Sequence, residues 1–97
     1  MIRHIVLFAF QDDAPVSALC AAFAALPQQI ALIRRFEAGT SISTEQLEQG
    51  YTHAFLLQFD QAEDLAAYLI HPAHLAFVEQ VKPALQQVLV FDLAVDG

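Results

Sequence analysis

The segment Ile2-Arg3-His4-Ile5-Val6-Leu7-Phe8-Ala9-Phe10 decides the fold. Side chains of a strand alternate between its two faces. Ile2, His4, Val6, Phe8 and Phe10 therefore share one face, and Ile5, Leu7 and Ala9 share the other. Both faces are apolar. A strand with one wet face alternates apolar with polar residues; this one does not, so something covers each side of its sheet.

Three further strands are expected. Ile30 to Gly39 is the second. Tyr51 to Phe59 is the third, with the bulky set Tyr51, His53, Phe55, Leu57 and Phe59 toward the helices. Its smaller, mixed set Thr52, Ala54, Leu56 and Gln58 suits an interface. Val88 to Leu93 is the last strand, with Asp92 an acid in an apolar run. Between the first two strands, Gln11 to Pro15 carries helix-start chemistry, because Asp caps and Pro fits the first turn. The helix then runs to Leu26, its stripe formed by Val16, Leu19, Phe23 and Leu26, and Pro27 ends it.

Gly39 to Gly50 is a polar loop in which Ser43 and Gln46 are spaced to cap one short helical turn. Asp60-Gln61-Ala62-Glu63 fits an Asp variant of the capping box. The helix it opens places Leu65, Tyr68 and Leu69 on one side. Pro72 disfavours helical geometry at His71 and is suited to start a new helix. Tyr68 thus falls on the last turn of one helix and His74 on the first turn of the next. Phe77, Val81, Leu85 and Val88 continue as a stripe, kinked at Pro83.

The order is β, α, β, loop, β, α, α, β. It predicts an α+β, ferredoxin-like fold: a four-stranded antiparallel sheet with helices on one face. The 97 residues make a single domain, 1–97. Hydrophobic residues are 57% of the chain, more than so small an interior holds, which points to a homodimer joined through the bare sheet face. Net charge is −7, with only Arg3, Arg34, Arg35 and Lys82 positive, so no nucleic-acid partner is expected. No apolar run reaches membrane-spanning length, and the N-terminal apolar stretch is too short for a signal peptide. The single Cys20 excludes an internal disulfide. A cytoplasmic protein is expected.

His4, His53, Tyr68 and His74 converge on the layer between sheet and helices, among apolar side chains such as Phe8, Phe55 and Phe77. Hydrophobic walls with few polar groups are the composition of a small-molecule pocket. Burial and the positive end of the second helix both favour a neutral His74, the form that takes a proton. Tyr68 either orients that imidazole or donates to a developing oxyanion. Equally, each histidine could be structural, finishing the core by bonding to main chain. Three histidines and Asp92 have the chemistry of zinc ligands, but Pro72 breaks the helical spacing of His71 and His74, and no metal is expected.

His4-Ile5-Val6-Leu7-Phe8, Gly50-Tyr51-Thr52-His53-Ala54, Tyr68-Leu69-Ile70-His71-Pro72-Ala73-His74 and Val88-Leu89-Val90-Phe91-Asp92, in that order, resemble the stress-responsive α/β-barrel (Dabb) family. The resemblance covers nearly the whole chain. It implies a homodimer whose two sheets close a barrel. It also implies two readings of function, since the family holds a polyketide cyclase as well as members without a known reaction. In the first, His74 is the general base and Tyr68 its partner in cofactor-free, aldol-type chemistry on a small hydrophobic carbonyl compound. His4, His53, Phe8, Phe55 and Phe77 then contact the substrate. In the second, the protein is a non-catalytic, stress-related or ligand-binding dimer.

Overall fold

The computed structural model describes residues 1–96. Strands β1 (Ile2–Phe10), β2 (Arg35–Thr40), β3 (His53–Phe59) and β4 (Leu85–Ala94) form one antiparallel sheet in the order β2-β3-β1-β4. Helices α1 (Val16–Ala24) and α2 (Leu26–Gln29) link β1 to β2. Helices α3 (Ala62–Leu69) and α4 (Pro72–Val81), followed by a 3-10 turn at Lys82–Ala84, link β3 to β4. This is the ferredoxin-like plan, with each helical crossover in two pieces.

Register fixes the two faces. His4 pairs with Leu57 and Asp92, Val6 with Phe55 and Val90, and Phe8 with His53 and Val88. These residues look toward the helices. There Val6, Phe8, Phe55, Leu57 and Phe59 pack with Leu19, Phe23, Leu26, Tyr68, Phe77 and Val81 in one buried cluster. On the opposite face Ile5 pairs with Leu56 and Phe91, and Leu7 with Ala54 and Leu89. Among the described residues no helix lies over that face, and Leu89, Phe91 and Leu93 are 40%, 58% and 41% exposed. An uncovered apolar patch of this kind marks an interaction surface. Among the described residues no helix is long and apolar enough to cross a membrane.

Several boundaries differ from the sequence expectation. Strand β2 begins at Arg35, not Ile30. Pro27 does not end helical structure; it occupies the first turn of the short α2, whose C-cap is Ile30. Ile30 and Ile33 are buried as turn residues closing the core. Strand β3 starts at His53, two residues late. No helical turn forms at Ser43–Gln46: Gln46 has φ 60° and Ser43 Oγ accepts from Glu45 N–H instead. The aspartate caps expected within Gln11–Pro15 and at Asp60 also go unused. Pro15 and Gln61 are the N-caps of α1 and α3, neither with a side-chain bond, and Asp60 pairs with Arg34 at 3.6 Å. The stripe through Leu85 and Val88 is not helical. Pro83 falls in the 3-10 turn, the chain becomes extended at Leu85, and both residues belong to β4.

Leu57 is fully buried at the centre of the sheet. Leu57→Ala should lower unfolding free energy by about 2–5 kcal/mol, because the surrounding sheet and helices cannot collapse into the space. Urea denaturation measures it.

Candidate functional site

The last carbonyls of a helix have no partner within it, and the α3–α4 corner supplies them. Tyr68 O accepts the His71 N–H at 3.0 Å. His71 is extended at φ −66° and ψ 135°, as the following Pro72 requires, and its Nδ1 caps α4 by accepting the Ala73 N–H at 3.0 Å. His74 stands in the first turn of α4, with Nδ1 at 3.0 Å from Leu69 O. A carbonyl only accepts, so the ring proton sits on Nδ1 and the lone pair on Nε2. Partial burial holds the His74 pKa below its ordinary value of 6.5; the bond to Leu69 opposes this, and His4 and His71 add to it. The imidazole is neutral at physiological pH.

The Tyr68 ring packs between two imidazoles, with centroids 4.4 Å from His74 and 5.7 Å from His4. Burial pushes its phenol well above the ordinary range, so Tyr68 is a donor and not a base. Tyr68 makes no hydrogen bond through its hydroxyl among the described residues, although no sealed polar atom there lacks a partner. The hydroxyl therefore keeps a small accessible surface on an otherwise buried residue, and Tyr68 borders a space inside the protein. Of the two roles considered for Tyr68, orienting His74 falls to the Leu69 carbonyl, and donation to an oxygen remains. His4 Nδ1 lies 2.5 Å from Asp92 Oδ1, so the carboxylate holds the ring that forms the other side of Tyr68.

The space is a cavity of about 360 Å³ between β1, β4, α3 and α4, within the range of small-molecule sites. His4, Tyr68 and His74 line it together with Phe8, Phe23 and Phe77, and the wall is otherwise aliphatic but for Lys82. It opens along β4, where Val88 and Val90 line it while remaining about half exposed.

Two expected members lie elsewhere. His53 is on the helix side of the sheet but at its far end, with its ring 5.1 Å from Phe10 and Nδ1 2.8 Å from Thr52 Oγ1. Phe55 fills solid core, 4.5 Å from Phe23 and 5.1 Å from Phe8 between ring centroids. Neither borders the cavity. Face assignment identified the correct layer but not the part of it left hollow. Among the described residues no three His, Cys, Asp or Glu side chains gather as a metal-ligand group; His4 has Asp92 alone. Sequence reasoning missed the His4–Asp92 pair, which needs the β1–β4 register, and the cavity roles of Phe23, Lys82, Val88 and Val90.

Fold and cavity together define a ferredoxin-like domain with an apolar cavity between sheet and helices. The chain belongs to the Stress responsive A/B Barrel Domain (Dabb) family, whose model matches residues 2–95. It is 35% identical to the stress-response A/B barrel domain-containing protein HS1 of Arabidopsis thaliana, over 94% of this chain and 86% of that protein. It is 26% identical to olivetolic acid cyclase of Cannabis sativa, over 94% of this chain and 93% of that protein. The crystal structure of a dimeric ferredoxin-like protein of unknown function from Thermobifida fusca superposes with a TM-score of 0.80. It shares 27% identity over 97% of this chain and 90% of that one.

Histidine titration by NMR should find His74 with a midpoint below 6.5 and its neutral proton on Nδ1. The unfolded chain then binds this proton more readily than the folded one. His74 therefore makes acidification below about 6.5 favour unfolding, and stability rises again with pH through the same window.

Proposed function

We propose that the protein is a homodimer, joined through the helix-free faces of two sheets, whose cavities bind a small hydrophobic carbonyl compound and remove a proton beside its carbonyl without a cofactor. His74 Nε2 takes the proton from the α-carbon. The C–H electron pair becomes the C=C bond of an enolate, and the carbonyl π pair moves to oxygen, where the Tyr68 hydroxyl donates a hydrogen bond. Where the ligand carries a second carbonyl, the α-carbon attacks it and closes a C–C bond. His74 returns its proton to the new alkoxide. The carrying observation is the Tyr68 hydroxyl, unbonded on a residue that lines the cavity, beside an imidazole whose lone pair is fixed on Nε2. Likeness to a protein named as a cyclase supports ring closure as the use of the carbanion. Dimeric relatives and the bare apolar face support the assembly.

A second reading rests on its own observation: His4, His53 and His71 all have protein partners, as structural histidines do. A non-catalytic dimer would bind the same ligand and leave it unchanged.

The two separate in deuterium exchange. With 2-octanone in D2O, the wild-type protein should accelerate loss of the α-proton NMR signals over buffer. His74→Ala should slow it by about a hundredfold, and Tyr68→Phe by a similar factor of about a hundred. A ketone that binds without exchanging indicates the non-catalytic dimer.

Leu56→Asp places a charge at the centre of the apolar face and should give monomers at micromolar concentration in sedimentation. A variant still dimeric there overturns the interface.

A further inference from the structure

Lys82 stands apart from the other cations of this acidic chain. Arg3 donates to Gln58 at 2.8 Å, Arg34 pairs with Asp60 at 3.6 Å and Arg35 with Glu37 at 3.2 Å. Lys82 makes no side-chain hydrogen bond or ion pair among the described residues, and it is the one cation that borders the cavity. The residue is exposed, and the cavity wall is almost wholly apolar. Its methylene stem therefore completes the wall while the ammonium sits in water at the rim. Among the described residues no Asp or Glu lines the cavity. In a chain of net charge −7, this is where an anion meets a lone positive charge with no carboxylate among the cavity's own walls.

Geometry adds a length. His74 and Lys82 lie along one helical path from α4 into the turn that follows it. Eight residues at helical rise separate their Cα atoms by about 12 Å.

We infer that the ligand is an amphipathic acid, whose anionic group lies at Lys82 while its apolar chain runs along the cavity toward Tyr68 and His74. This deepens the reading above and rests on the cavity being a ligand site. The competing explanation is that Lys82 only complements the dipole at the C-terminal end of α4, where a cation is favoured.

The test compares 7-oxooctanoate with 2-octanone, an acid and a neutral ketone of similar chain length. Dissociation constants come from ligand-observed NMR titration of the full chain. The wild type should hold the acid about threefold more tightly than the ketone, the scale of one solvent-exposed ion pair. Added salt should shrink that preference. Lys82→Gln should abolish it and Lys82→Glu should reverse it, while thermal unfolding reports separately on the helix end. The inference is overturned if both ligands bind equally in the wild type, or if either variant moves both affinities together. A lysine serving only the helix dipole would shift the melting temperature and leave the ratio alone. If neither ligand binds, the cavity reading itself fails. Binding of the ketone without an advantage for the acid removes only the role of Lys82.

Discussion

The end of α3 leaves carbonyl groups that no helical N–H reaches, and the way they are satisfied arranges everything around them. Pro72 forces the chain out of helical geometry at His71, which brings the His71 N–H onto Tyr68 O. The same turn carries His74 back over the end of the preceding helix, where Nδ1 bonds Leu69 O. One side chain thereby caps α3, fixes its own tautomer and leaves Nε2 unprotonated. A substitution at Pro72 would act on the orientation of His74 and on the packing of Tyr68 together, since both hang from that corner.

Much of this was legible in the chain. Tyr68 and His74 follow from an i, i+3, i+4 stripe and a proline corner, both local signals. The two apolar faces of β1 revealed a sheet wanted on both sides. Errors arose where a local pattern had two readings. Val81, Leu85 and Val88 keep helical spacing, yet β4 is apolar on both faces and so has no period of its own to contradict it. Ile30, Leu32 and Ile33 look like a strand, but their burial comes from a turn folded against the core. His53 and Phe55 share the parity of the site without reaching it, because hollowness depends on which helix lies above. The His4–Asp92 pair joins residues 88 apart and exists only through strand register.

Electrostatics inside the site is set by scarcity. Most of the wall is hydrocarbon, so each polar group acts in a poorly screened setting, where an unpaired donor or lone pair is worth more than in water. Burial keeps Tyr68 protonated and His74 neutral. Both shifts come chiefly from loss of solvent and not from a charged neighbour, so the donor and the acceptor coexist without a strong ionic partner. His4 is the exception: it leans on the half-exposed carboxylate of Asp92 at the edge of the sheet.

Strand β4 serves two sides at once. Val88 and Val90 border the cavity, while Leu89, Phe91 and Leu93 project from the bare face between them. In the proposed dimer a single backbone is thus a wall common to ligand and partner subunit. Any shift of that strand that tightens one contact is felt by the other. Binding free energies are reciprocal: whatever stability a bound ligand lends to the assembled pair of sheets, assembly returns to the ligand as affinity, and the protein's concentration becomes a variable in its own occupancy.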